Sequence, residues 1–229
     1  MKLRVAILQQ SEGTPPGSSL EWLADRGHDY VLCRLDRNQS LPSLDDVDMI
    51  IVLGGSMNVD DLELHPWLAT EKAWLKQAIT TGKTCLGLCL GGQLLAQIMG
   101  GKVRKHAHWE VGWHPVNFTN GKILTVFQFH QDTFDLPDRA RLFASNPITV
   151  HQAFSIGHRT IGLQFHPEAT EAWIRECSNE KPYPLGPYVQ TPQQLREGIG
   201  YLAPMKIWFF DLLDQLAAMT GSCSGIKYP

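Results

Sequence analysis

The segment Thr84-Cys85-Leu86-Gly87-Leu88-Cys89-Leu90-Gly91-Gly92-Gln93 holds the residues best placed for covalent chemistry. An apolar run ends at Cys89, a helical pattern starts directly after it, and a glycine lies two residues to either side. A nucleophile elbow needs this arrangement, because the nucleophile sits on a tight strand-to-helix turn. The turn strains the backbone, and side chains at the flanking positions would clash. At a helix N-terminus the peptide dipoles favour the thiolate, and the N–H of Leu90 is left to face an oxyanion. Cys85, inside the apolar run, reads as a small buried hydrophobe.

A thiol nucleophile needs a base, and the base needs a third group that fixes its tautomer. Residues 161–168 read Ile-Gly-Leu-Gln-Phe-His-Pro-Glu: an apolar strand ends at His166, Pro167 stops it, and Glu168 follows within reach of the imidazole. A histidine at a strand end is more often structural than catalytic, but its coincidence with an elbow shifts that balance. In α/β-hydrolases the acid precedes the histidine, so the order found here disfavours that fold. Val52-Leu53-Gly54-Gly55-Ser56-Met57 supplies paired glycines after an apolar run, where backbone N–H groups can approach a ligand closely. Gly55 and Leu90 are the expected oxyanion donors. Read instead as a phosphate loop, this segment lacks the lysine, the Ser/Thr and the glycine spacing that such loops carry.

His106, His108, Glu110 and His114 are spaced so that alternate residues of one strand could converge on a metal. No cysteine lies nearby, and with Lys102, Arg104 and Lys105 the stretch reads as a solvated hairpin edge. No metal is therefore expected.

These groups must be positioned by alternating strands and helices. Strands are predicted at Val5–Leu8, Tyr30–Leu35, Met49–Leu53 and Thr84–Leu88, and helices at Ser19–Asp25, 66–80 and Gly91–Met99, the last ended by Gly100 and Gly101. That alternation predicts an α/β fold with a mostly parallel sheet covered by helices on both faces. From 102 to 165 the pattern changes to short strands (111–118, 128–129, 149–156 and 160–165), read as an antiparallel extension of the sheet. Helices close the chain near 170–177, 191–198 and 205–219, and residues 181–192 read as an ordered loop or a flexible lid. Residues 1–229 read as one domain, with a C-terminal helical segment at about 191–220.

Composition narrows the class. The 229 residues are 43% hydrophobic and 19% charged, with a formal charge of −3, which suits a globular protein and gives no footprint for nucleic acid or an anionic membrane. No run approaches the roughly 20 apolar residues of a membrane span. The N-terminus reads as a first strand rather than a signal peptide. Five scattered cysteines without a CxxC pair point to a reducing, cytoplasmic setting.

Together the motifs resemble those of the class I, triad-type glutamine amidotransferases. The likeness rests on Gly-x-Cys-x-Gly-x-Gln at 87–93, His-Pro-Glu at 166–168 and Gly-Gly at 54–55. It extends to LHPWL (64–68), EVGWHPV (110–116), HQDTFDLP (130–137) and QAF (152–154), and covers about residues 1–170. The sequence looks most like stand-alone proteins related to the amidotransferase domain of GMP synthase. The resemblance implies a flavodoxin-like three-layer sandwich. It also implies a Cys89–His166–Glu168 triad that releases ammonia from glutamine through a γ-glutamyl thioester, without metal or organic cofactor. By the same carry-over Gln93 holds the amino-acid end of the substrate, with backbone near His130 and Gln131, where the family usually has a small residue at 131. No ATP-pyrophosphatase loop is present in the sequence. A separate ammonia-accepting synthetase subunit, a self-sufficient γ-glutamyl peptidase and a catalytically silent scaffold or regulatory partner all stay open.

Overall fold

The computed structural model describes residues 2–220; Met1 and residues 221–229, Cys223 among them, lie outside the described part. In chain order the elements are β1 (Arg4–Gln9), α1 (Ser18–Arg26), β2 (Asp29–Arg34), β3 (Met49–Val52), α2 (Trp67–Thr80), β4 (Thr84–Leu88), α3 (Leu90–Ile98), β5 (Lys102–Phe118), β6 (Ile123–Asp135), β7 (Ala140–Ser145), β8 (Ala153–Ile156), β9 (Thr160–Leu163), α4 (Glu171–Cys177), β10 (Tyr188–Val189), α5 (Pro192–Glu197) and α6 (Leu202–Met219). The ten strands form one sheet in the order β10-β5-β7-β8-β9-β4-β3-β1-β2, with β6 also paired to β5. Strands β2, β1, β3, β4 and β9 run parallel, and β5 to β8 are joined by antiparallel pairings.

Side-chain alternation along β1 shows how the layers form. Val5 and Ile7 face a core shared with Trp22 and Leu23 of α1 and Trp208 and Leu212 of α6. Ala6 and Leu8 face the opposite core, filled by Leu68 and Leu75 of α2 and Leu94 and Leu95 of α3. The parallel strands are therefore covered on both sides, as their near-continuous apolar runs require. Helix α3 ends where its glycines were expected to stop it: Gly100, at φ 102°, and Gly101 return their N–H groups to Gln97 and Ala96. A Thr191–Gln194 capping box starts α5.

The second half departs from the sequence-based expectation in three ways. β5 and β6 form a hairpin of 17- and 13-residue strands, far longer than predicted, with a register shift between Lys105 and Glu110. β7 was not predicted; its Arg-Leu-Phe-Ala-Ser stretch is short, and only Phe143 and Ala144 are buried. β9 pairs antiparallel with β8 but parallel with β4, so it belongs to the parallel half as well as to the extension. A strand's apolar pattern marks it as buried and says nothing of which neighbour it joins. Within 181–192, β10 pairs with β5, and the Gln190 side chain bonds both backbone groups of Trp113. That segment is anchored at this point. Helix α6 begins at Leu202, before the predicted start, because Pro204 falls in its first turn, where no N–H is needed.

Trp208 packs at a tilt against Phe118 and Phe165, and Phe165 directly precedes His166. Trp208→Ala is expected to cost about 3–5 kcal/mol, read as a lower urea midpoint.

Candidate active site

Four neighbouring parallel strands deliver their following loops to one place, the carboxyl edge of the sheet, where ligands of open α/β sheets bind. β4 ends at Cys89, β3 leads to Gly54 and Gly55, β1 leads to Gln10 and Ser11, and His166 follows β9. The cavity there has a volume of about 750 Å³, and Gly55, Cys89, Gln93, His130, Gln131 and His166 all line it.

Cys89 adopts φ 50° and ψ −109°, a region that side-chain-bearing residues rarely occupy. Its surroundings hold it there. The Cys89 N–H donates to the Leu163 carbonyl at 2.8 Å, and Gly91 N–H donates to Leu53 at 3.1 Å. A Cβ on Gly87 would strike the Gly91 carbonyl, and one on Gly91 would strike the Val52 carbonyl. The two glycines thus let β3, β4 and α3 approach at backbone distance. The N–H groups of Gly55 and Leu90 have no hydrogen-bond partner among the described residues.

Pairing of β9 with β4 brings His166 beside the thiol. Glu168 Oε1 lies 2.8 Å from His166 Nδ1, and both residues are almost wholly buried. The Trp173 ring packs edge-on at 4.9 Å, and Trp173 is itself tied to the Gly13 carbonyl. A Cβ at Gly54 would lie 2.9 Å from His166 Cε1, so a larger residue would push the ring away. Burial disfavours the imidazolium, but the charge of Glu168 and the hydrogen bond and charge of Cys89 outweigh it, and His166 is pushed up to about 10. Because that value exceeds the ordinary 6.5, protonated His166 contributes stability that is full below 6.5 and is lost as pH rises through about 10.

Sequence reasoning missed Gln164, which is buried and donates from Nε2 to Cys89 Sγ at 3.8 Å. Gln93 in turn donates to Gln164 Oε1 at 3.3 Å and to the Asp132 carbonyl at 3.1 Å. Gln164 stands two residues before His166, directly after the apolar strand β9, and that position was the available signal. Thr14, which bonds the Gly54 carbonyl at 2.8 Å, had none.

The expected hairpin edge divides in two. His108 is exposed and His106 half-exposed, whereas Glu110 is fully buried and cannot belong to a solvated edge. Its carboxylate accepts from Asn146 and Gln152 and faces His130 Nε2 at 3.4 Å. Burial pushes Glu110 up, but His130 and Asn146 more than offset it and hold the carboxyl below its usual range. His130 Nδ1 reaches the Asp132 carbonyl at 3.0 Å, so the network continues to Gln93. Gln131 is half-buried and donates to the His106 carbonyl at 3.4 Å. Among the described residues no group of three or more His, Cys, Asp or Glu could hold a metal, and no helix is long and apolar enough to cross a membrane.

Comparisons with known proteins agree on one family. Residues 18–173 match the family described as glutamine amidotransferase class-I. The chain is 27% identical to the glutamine amidotransferase-like protein YfeJ of Salmonella typhimurium, over 93% of this chain and 97% of that one. A crystal structure of a glutamine amidotransferase from Methylobacillus flagellatus superposes with a TM-score of 0.88 at 26% identity, covering 100% of this chain and 99% of its own. A GMP synthase from Brachyspira hyodysenteriae is 30% identical over 55% of this chain and 28% of its own length, and gamma-glutamyl peptidase 5 of Arabidopsis thaliana is 28% identical over 51% and 52%.

Glu168→Gln removes the carboxylate that favours the imidazolium. His166 is then expected to titrate about 1–3 units below its value of about 10, followed by the ring-carbon NMR signal against pH.

Proposed function

This chain belongs to the class I glutamine amidotransferase family, and on that premise we propose that it hydrolyses the side-chain amide of glutamine with Cys89 as nucleophile. One observation carries the reading: a strained cysteine at a helix N-terminus sits beside an imidazole bonded to a buried carboxylate, inside a cavity. The Cys89 thiolate attacks the amide carbon, and the carbonyl electrons move onto oxygen between the N–H groups of Gly55 and Leu90. Protonated His166 gives its proton to the amide nitrogen as the C–N bond breaks, releasing ammonia and leaving a γ-glutamyl thioester. Neutral His166 then takes a proton from water, the hydroxide attacks the thioester, and glutamate leaves with Cys89 restored. Glu168 holds the ring in the orientation both steps need. Proton transfer of this kind contributes about 10²- to 10⁴-fold, and each oxyanion donor on the order of 10²-fold or more.

Substrate contacts follow from the hydrogen bonds already spent. The Gln93 amide nitrogen is engaged by Asp132 and Gln164, which leaves its carbonyl oxygen to accept from a substrate ammonium. Backbone near His130 and Gln131 lies on the same wall of the cavity. No cofactor takes part in these steps. The likeness to the amidotransferase portion of a GMP synthase supports an ammonia-accepting synthetase as a separate partner. The four described cysteines, all free, suit a reducing cytoplasm.

A second reading is favoured by the cavity. At about 750 Å³ it falls in the range that takes drug-sized ligands, larger than glutamine needs, and Trp109 and Phe129 add apolar lining. A γ-glutamyl amide or peptide with a larger leaving amine would use the same chemistry.

Glutamate release from glutamine and from a panel of γ-glutamyl dipeptides tests both. Cys89→Ala is expected to reduce kcat by at least about 10³-fold on whichever substrate turns over. Turnover of glutamine alone supports the amidotransferase reading, and preference for dipeptides supports the peptidase. Turnover that survives Cys89→Ala would overturn both.

A further inference from the structure

Behind the Gly54–Gly55 loop lies a buried pair that the hydrolytic steps leave unused. Gln10 follows β1 and Glu71 lies on α2; both are fully buried. Gln10 Nε2 donates to Glu71 Oε1 at 2.6 Å. The two remaining oxygens, Gln10 Oε1 and Glu71 Oε2, are buried and have no partner among the described residues. With Glu71 ionised, both are buried acceptors lacking a donor, which is unfavourable for each. Turning the Gln10 amide over leaves the same shortage, because it only exchanges which acceptor is stranded. One proton on Glu71 Oε2 cures it by donating to Gln10 Oε1 and closing a ring of two hydrogen bonds. Burial favours that proton and pushes Glu71 up to about 8, against the Gln10 bond and the charge of Lys72, the one charged side chain that bears on it.

The pair also touches the loop that supplies an oxyanion donor. A Cβ built on Gly55 would stand 3.3 Å from Gln10 Cβ, so the Gln10 stem packs against the Gly55 backbone. We propose that Glu71 is a positioning residue, whose protonated carboxyl pairs with Gln10 and through it fixes the pose of the Gly54–Gly55 loop. Loss of the proton turns the ring into an acceptor-to-acceptor contact, forces Gln10 off its seat and loosens the Gly55 N–H. The catalytic part of this inference rests on the hydrolase reading; the structural part does not.

Two measurements separate them. Backbone ¹³C and ¹⁵N resonances of Gly54 and Gly55, followed over a pH series that brackets 8, are expected to titrate with a midpoint near 8 in the wild type. In Glu71→Gln, where an amide–amide ring keeps both bonds and has no proton to lose, the same resonances stay flat. Resonances that do not move in the wild type, or that move equally in Glu71→Gln, overturn the proposal whether or not the chain turns over substrate. In the hydrolysis assay, wild-type kcat is expected to fall several-fold as pH rises through about 8, with KM little changed. Glu71→Gln keeps its kcat through that step, leaving only the later loss as His166 gives up its proton near 10. Titration of the glycines without any turnover would sink the hydrolase reading and leave the Glu71 pair standing. Turnover with no difference between wild type and Glu71→Gln across pH 8 would sink the catalytic role assigned to Glu71.

Discussion

The strained backbone at Cys89 is the constraint from which the rest of the site follows. A side-chain-bearing residue held at φ 50° is unfavourable by about 1–3 kcal/mol, so neighbours must over-determine it. Each of those neighbours has its own requirement. Gly87 and Gly91 exist because the turn brings backbone from β3, β4 and α3 into contact, and the Leu163 carbonyl of β9 pins the Cys89 N–H. The strand that pins Cys89 is the strand that leads to His166. Thiol and imidazole are therefore registered by one pairing, β4 with β9, rather than by two independent loops.

A second layer of order comes from buried amides and carboxyls. From His130 through the Asp132 carbonyl, Gln93 and Gln164, hydrogen bonds run to Cys89 Sγ, and Glu110 faces the other side of the His130 ring at 3.4 Å. Polar groups buried this completely are tolerable only when nearly all are satisfied. A chain of this kind fixes rotamers that apolar packing would leave free. The Glu110 stretch, which looks like a metal set on paper, serves the interior instead: the register shift between Lys105 and Glu110 breaks the regular alternation, and of His106, His108, Glu110 and His114 only Glu110 is buried.

The first half of the fold and the groups that meet at the candidate site were legible because local chemistry dictates them. Strand β4 was placed to the residue, and helices α1 to α3 to within about a residue, by apolar periodicity and glycine stops. Cys89, His166 and Glu168 were singled out by spacing, and the structure brings them together. What stayed hidden depends on distant partners. The full length of the β5–β6 hairpin, the existence of β7 and the double pairing of β9 rest on cross-strand contacts that no local window contains. Gln10 and Glu71 look like ordinary polar residues until the fold seals both from water.

The β4–β9 pairing carries a consequence for how the molecule is made. Residues 85–88 stand beside residues 160–163, so an emerging nascent chain holds Cys89 long before the ribosome has delivered the strand that completes its surroundings. Throughout that interval β4 has an open edge, and open edges invite pairing with the wrong strand. The hairpins between them close on local contacts and can fold early, whereas the parallel junction is non-local and must wait. Synthesis therefore assembles the site late, and a chain interrupted before residue 160 would present Cys89 beside an unprotected edge.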